Sequence, residues 1–238
     1  YKKRFRKIKD NSKVSYLKKK KEILIVGGTG FIGYHLASKC TKIGWNVTSI
    51  ATRKPKKMRF LKEVKYLKCD ISQKNKLKKK IKKNFNYVVN LGGYVDHSND
   101  KKTYRSHYLG LKNLSSIFLN KSIEAFLQIG SSGEYQGCKS PHIEYFKGKP
   151  KSIYYKSKLL SSLHLKKLFT TYKFPVSILR LYQVYGPKQD CNRFLPIIIN
   201  SCIKDKKFLC SAGIQFRDFI YIDDLINAIL KTLKSTKT

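Results

Sequence analysis

Tyr154 and Lys158 stand four residues apart, and on a helix that spacing puts both side chains on one face. A phenol with an ordinary pKa near ~10 is a poor base at neutral pH, but an adjacent ammonium favours its ionised form. The pair therefore reads as a general acid/base centred on Tyr154 or, with no chemistry attached, as part of an amphipathic helix through Leu159, Leu160, Leu163 and Leu168. A second element separates the two readings. Ser131 lies in Gly130-Ser131-Ser132-Gly133-Glu134-Tyr135, directly after the apolar run Phe126-Leu127-Gln128-Ile129. Ligands of open α/β sheets bind at the carboxyl ends of strands, so a serine there can donate to a carbonyl or alkoxide oxygen. Ser131, Tyr154 and Lys158 then make a proton-transfer trio.

Such a trio needs a sheet to carry it, and the sequence supplies one. The apolar run 22–26 ends at Gly27-Gly28, residues 31–43 follow with helical spacing of Ile32, Leu36, Cys40 and Ile43, and 46–50 restarts as a strand. This is a βαβ unit. Further strands are expected at 64–67, 87–91, 125–129 and 176–181, mostly separated by helical stretches, which together predict an α/β fold with a doubly wound parallel sheet. The lysine run 74–83, with Leu77 and Ile81 at helical spacing, reads as a solvated helix face rather than a nucleic-acid site.

Gly27, Gly30 and Gly33 fall between the first strand and the first helix. Glycine there closes the turn, lets a pyrophosphate approach the backbone and packs helix on strand, while the helix N-terminus attracts the phosphates. In this context a dinucleotide site is the better reading than a merely structural turn. The second strand ends in Ile50-Ala51-Thr52-Arg53-Lys54, where a carboxylate would take the ribose 2′-hydroxyl of NAD. None is present, and Thr52, Arg53 and Lys54 are candidates for a 2′-phosphate, with Arg53 the better geometric match, so NADP is favoured over NAD. Asp70 is either an acceptor for the adenine amino group or a helix N-cap.

The 52 Lys and Arg against 14 Asp and Glu give a net charge of +38 over 238 residues. An anionic partner, nucleic acid or phosphorylated small molecule, would explain this. So would compositional drift, which the even spread of lysines favours, and no specific nucleic acid is expected. The six cysteines show no metal-ligand spacing, so no metal site is expected. No apolar run reaches the ~18 residues of a membrane span, and the basic leader 1–21 lacks the apolar core of a secretory signal. A cytoplasmic location is expected, with the leader read as a flexible end rather than an arm for anionic membrane. The chain begins with Tyr and its one methionine is Met58, as expected of a piece of a longer chain.

Over about residues 22–233 the sequence resembles the extended short-chain dehydrogenases/reductases, in the branch of nucleotide-sugar epimerases, dehydratases and 4-keto reductases. The resemblance rests on Gly27-Gly-Thr-Gly-Phe-Ile-Gly33, Val88-Val-Asn-Leu-Gly-Gly93, Ile129-Gly-Ser-Ser-Gly-Glu-Tyr135 and Tyr154-Tyr-Lys-Ser-Lys158. Leu179-Arg-Leu-Tyr-Gln-Val-Tyr-Gly-Pro187 and Arg217-Asp-Phe-Ile-Tyr-Ile-Asp-Asp224 point to the nucleotide-sugar branch. It implies a Rossmann-like cofactor domain at 22–178 and the start of an interleaved sugar-binding lobe at 179–238, partly missing because family chains continue further.

The resemblance also implies roles. Hydride would pass between a nicotinamide and a ring carbon of the sugar, usually C4, with Tyr154 moving the hydroxyl proton, Ser131 holding the reacting oxygen and Lys158 holding the nicotinamide ribose. Gly27, Thr29, Gly30, Phe31, Ile32, Gly33, Thr52, Arg53, Asp70, Ile71, Leu91, Gly92 and Gly93 would surround the cofactor. Tyr94 to His97 and Ser132 would border the sugar, and Gln183, Arg193 and Arg217 the nucleotide diphosphate. Gln183 stands where many members have Asn. Matching Tyr135 to the family tyrosine selects Ser131, and the Asp-Glu pair of sugar 4,6-dehydratases then becomes Ser132-Gly133. Matching Gly137 to the following glycine selects Ser132 and makes Glu134 a candidate dehydratase acid. The first register disfavours dehydration, and the missing carboxylate at Ala51, which suits a soluble NADPH donor, puts 4-keto reduction slightly ahead of epimerisation. Homodimers are frequent in the family, so apolar positions on 156–168 are either core or interface. An idle Rossmann-like module that binds nucleic acid is the reading from another class.

Overall fold

The computed structural model describes residues 20–94, 96 and 98–236. Of the expected leader only Lys20 and Lys21 fall among them, and Val95 and His97, expected beside the sugar, lie outside them. Six parallel strands form the main sheet: β1 (Glu22–Val26), β2 (Asn46–Ala51), β3 (Lys65–Lys68), β4 (Tyr87–Asn90), β5 (Ala125–Ser131) and β6 (Val176–Leu181). Their order is β3-β2-β1-β4-β5-β6. The order reverses between β1 and β4, which opens a crevice at the carboxyl ends of those strands.

Strands buried on both faces need apolar side chains in both directions. Ile23 and Ile25 of β1 face one core with Val89, Leu127 and Ile129, while Leu24 and Val26 face the other with Val88 and Phe126. Helix α1 (Phe31–Lys42) and the C-terminal α7 (Ile222–Ser235) cover the first face. The second is covered by α2 (Lys74–Lys80), by 100–118, which comprises α3 (Asp100–Tyr104), a π-helical turn (Arg105–Leu109) and α4 (Gly110–Phe118), and by α5 (Ile153–Tyr172). In α2 only Leu77 is buried and the lysines point to solvent.

The six expected strands are the six observed, with ends moved by one or two residues. The division drawn at residue 178 runs through β6, and α7 returns to pack on the first face. A second, two-stranded parallel sheet was not expected. It pairs β7 (Gln183–Tyr185) with β8 (Phe219–Tyr221), and α6 (Phe194–Ile203) lies between them in sequence. Strands of three residues are too short to show a period.

Helix α5 also differs from its apolar pattern. Its inward face is Ser157, Lys158, Ser161, Ser162, Leu165 and Leu168, whereas Leu160 and Leu163 are exposed. Serines are short enough to let the helix approach closely, and each hydroxyl finds an acceptor: Ser161 Oγ donates to the carbonyls of Ser157 (2.7 Å) and His107 (3.1 Å).

Candidate functional site

The glycine turn follows β1 directly. Gly27 has a φ of +82°, open to glycine but costly for other residues, and a Cβ there would lie 3.0 Å from the Leu91 carbonyl. At Gly33, in the first turn of α1, a Cβ would run into the Gly27 carbonyl, so helix and turn touch backbone to backbone. Gly30 is the N-cap, offers no side chain to the first N–H groups, and no acidic residue stands in the first turn. These groups and the helix dipole suit a pyrophosphate, so the residues present fit a dinucleotide. Thr29 is buried and Phe31 and Ile32 are half-buried around the turn.

Thr52 and Arg53 lie exposed just after β2. Asp70 Oδ1 accepts from Ser72 N at 2.8 Å, so this carboxylate caps its own turn. Ile71 is buried, and Asn113 holds the carbonyls of Ile71 (3.1 Å) and Ser72 (2.9 Å). Half-buried Leu91 donates its N–H to Val26 O at 2.9 Å, and Gly92 N donates to Asn90 Oδ1 at 3.1 Å. The loop that ends in Gly93 is thereby pinned beside the glycine turn.

Ser131 ends β5 and is 8% exposed. Its N–H donates to Glu134 Oε1 at 2.8 Å and its Oγ accepts from Gly133 N at 3.2 Å, a capping box that fixes the turn. Glu134 Oε2 also takes Ser162 Oγ (2.6 Å) and Arg180 Nε (3.0 Å). This carboxylate is 1% exposed and fully engaged. The turn places the Ser131 hydroxyl near enough to Tyr154 to pull its pKa downward.

Lys158, one helical turn beyond Tyr154, donates its ammonium to Ile129 O at 2.7 Å and stands 5.9 Å from the centre of the Tyr154 ring. Burial pushes its pKa down to about 8, against the opposing pull of the Glu134 charge. The expectation that this lysine draws the phenol down is not what the geometry gives. Burial raises the pKa of Tyr154, and the Ser131 hydroxyl and the charge of Arg193 offset this only in part. The structure thus brings Ser131, Tyr154 and Lys158 together, with Arg193 near enough for its charge to reach the phenol.

An open cleft of about 460 Å³ adjoins Tyr154, lined by Asp100, Lys151, Ser152, Ile153 and Tyr155 besides. Tyr94 is held by Ser106 Oγ on its N–H (2.9 Å), and its hydroxyl donates to Asp96 Oδ2 (2.9 Å). Ser132 is half-buried beside Ser131. Arg193 is the exposed N-cap of α6. Gln183 and Arg217 are exposed outside the main sheet, where Gln183 N donates to Asp218 O at 3.1 Å and Arg217 donates to the Gln215 side chain.

Sequence reading missed two contributors. Glu134 was weighed only as an acid, although Ser-x-x-Glu after an apolar run is the signature of the capping box it forms. His107 packs edge-on against Tyr154 at 4.9 Å, with Nε2 3.1 Å from Tyr94 O; its π-helical turn left no local signal.

A profile of the NAD dependent epimerase/dehydratase family matches residues 23–238. The dTDP-D-glucose 4,6-dehydratase of Dictyostelium discoideum is 27% identical over 87% of this chain and 54% of its own length. For the human dTDP-D-glucose 4,6-dehydratase the figures are 27%, 91% and 67%. The chain therefore spans between about half and two thirds of these relatives. Among solved structures, a UDP-N-acetylglucosamine 4-epimerase from Methanobrevibacter ruminantium, in complex with UDP-N-acetylmuramic acid, superposes with a TM-score of 0.84 at 24% identity, over 92% of this chain and 74% of that one. The UDP-glucuronic acid 4-epimerase of Bacillus cereus, with UDP-glucuronic acid and NAD, gives 0.81 at 23% identity, over 91% and 74%. Among the described residues no helix is long and apolar enough to cross a membrane, and no group of three His, Cys, Asp or Glu could hold a metal ion. With a doubly wound sheet, a glycine turn built for a dinucleotide and a matching profile across nearly all of its length, the chain belongs to the NAD-dependent epimerase/dehydratase family.

Proposed function

We propose that the protein is an NAD(P)-dependent oxidoreductase that acts on a nucleotide-linked sugar at a ring carbon, C4, as a 4-keto-sugar reductase or an epimerase. The observation that carries this reading is the meeting of Ser131, Tyr154 and Lys158 at the carboxyl end of β5, beside the glycine turn. A bound nicotinamide would supply the hydride acceptor and donor. Tyr154 holds and moves the proton of the reacting hydroxyl, and Ser131 orients the same oxygen. Lys158, tied to Ile129 O, keeps a positive charge near the phenol and faces the nicotinamide ribose. Gln183, Arg193 and Arg217 face the nucleotide diphosphate, and Tyr94 and Ser132 border the sugar.

Two observations support NADP as the cofactor. No carboxylate stands at 51–54, and of the basic residues near the end of β2, Lys56 and Arg59 are already engaged by Asp190, which leaves Thr52, Arg53 and Lys54 for a 2′-phosphate. Within this reading, the epimerase would retain NAD, and similar folds named as epimerases, one of them complexed with NAD, support it. Dehydration is disfavoured, because Glu134 is locked by Ser131, Ser162 and Arg180 instead of reaching the cleft. The exposed Leu160 and Leu163 on the outer face of α5 support a homodimer. Calorimetric titration with NADPH and NADH, repeated on Arg53→Ala, tests the cofactor. A preference for NADPH that the variant loses supports the reductase, a preference for NADH moves the reading to the epimerase, and failure of both to bind overturns it.

A further inference from the structure

Residues 186–190 open the 186–193 connection from β7 to α6, and they are fastened to α1 and the 57–59 turn, distant in sequence. His35 Nε2 lies 2.9 Å from Pro187 O. Lys188 Nζ donates to the Tyr34 hydroxyl at 2.6 Å and sits 4.2 Å from that ring's centre. Arg59 donates to Lys188 O through Nε (3.1 Å) and Nη2 (2.5 Å), and its guanidinium shares Asp190 Oδ1 (3.2 Å) with Lys56 (2.7 Å).

The Lys56–Asp190 pair alone would be a surface ion pair of little consequence. Arg59 changes that judgement. Its side chain is 2% exposed, whereas among the described residues every other Lys and Arg but Lys158 is at least partly open to water, and a guanidinium so removed from solvent persists only where specific acceptors replace its hydration. Lys188 holds a φ of +63°, a conformation that side-chain-bearing residues avoid unless their surroundings over-determine it. Burial pushes the Asp190 carboxyl up, but the Lys56 hydrogen bond and the Arg59 charge outweigh this and hold it below its ordinary range.

The fastening has two ends. Tyr34 and His35 follow directly on the Gly30–Gly33 stretch that faces the dinucleotide phosphates. At the other end the arc is braced internally, by Gln189 Nε2 to Val184 O (2.9 Å), Gln189 N to Gly186 O (3.3 Å) and Arg193 N to Asp190 O (3.1 Å). A displacement of the arc therefore carries Arg193, whose charge reaches Tyr154, and the end of β7 that begins with Gln183.

We propose that Arg59 and Asp190 are positioning residues: the 186–190 arc is a clasp through which the cofactor-facing start of α1 and the 57–59 turn set the placement of Arg193, so that cofactor binding organises the diphosphate-facing side. The proposal rests on the cofactor reading above.

Hydrogen exchange read by mass spectrometry tests it, with NAD and NADPH each added at saturation to the 238-residue chain. In the native protein, cofactor slows exchange at 27–33, where it binds, and also at 186–193, by roughly tenfold, within the range usual for coupled sites. In Asp190→Asn, an isosteric change at a partly exposed side chain that leaves the buried core untouched, slowing persists at 27–33 and disappears at 186–193. Slowing confined to 27–33 in the native protein, or slowing at 186–193 that survives in Asp190→Asn, overturns the clasp and leaves the cofactor reading standing. No slowing at 27–33 with either dinucleotide overturns the cofactor reading and the clasp with it.

Discussion

The six-stranded sheet and the 183–221 segment lie side by side but are held by different forces. In the sheet, β1, β4 and β5 bury nearly every side chain, and Ile23, Leu24, Ile25, Val88, Val89, Phe126 and Leu127 have no exposed surface. In the segment, two three-residue strands pair and α6 buries none of its residues, with Phe194 58%, Ile199 53% and Ile203 77% exposed. Close packing leaves a side chain one arrangement. Of the segment, Val184, Ile220 and Tyr221 pack half-buried against the core, while its 186–190 arc is held by polar ties. In the proposed function, Ser131 stands on the sheet and Tyr154 and Lys158 on the helix α5 that covers it, while the residues proposed to face the diphosphate stand in or beside the second region.

Four changes would break or sharpen this contrast. The largest effect is expected from Tyr154→Phe, which removes the proton carrier and spares both regions; turnover should fall by about 10²–10⁴-fold while dinucleotide affinity measured by calorimetry is retained. Next comes Glu134→Ala, which leaves Arg180 without its carboxylate under the end of β5. Removing one partner of a buried pair costs about 3–5 kcal/mol, and urea unfolding should show a loss of that order; a loss below about 1 kcal/mol would mean that the turn carries less of the sheet's rigidity than its contacts imply.

Lys158 supplies a smaller, pH-dependent effect. Its folded pKa of about 8 lies below the ordinary 10.5, so below pH 8 both states bear the proton and the native state carries the whole cost of the buried charge. Between about 8 and 10.5 the unfolded chain binds more protons, and stability rises with pH. Relative to Lys158→Met, the native protein should gain about 2 kcal/mol between pH 7 and about pH 9.5, at 1.36 kcal/mol per pKa unit. An unchanged difference across that range would show that the ammonium reaches water. The smallest effect is expected in the second region, where Ile199→Asn, on an α6 without buried residues, should change unfolding free energy by no more than about 0.5 kcal/mol. A much larger loss would show that this face is covered in solution.

What could be read from the chain alone was whatever local spacing encodes. Six strands showed as short apolar, β-branched runs, the dinucleotide turn as three glycines between strand and helix, and the acid/base pair as Tyr154 and Lys158 one helical turn apart, because each signal spans only a few residues. Everything that joins distant residues was left to the tertiary structure. Glu134 takes its partners from positions 28 and 46 residues away, Ser162 and Arg180, and β7 finds β8 across the whole of α6. Arg59, one basic residue among 52 in the sequence, is singled out only by the burial that Lys188 and Asp190 make tolerable. The direction of the Tyr154 pKa belongs to the same class. Spacing set the phenol near an ammonium and suggested a shift downward, but desolvation depends on every element packed around Tyr154, and a sum over neighbours that only the folded chain assembles turns the shift upward.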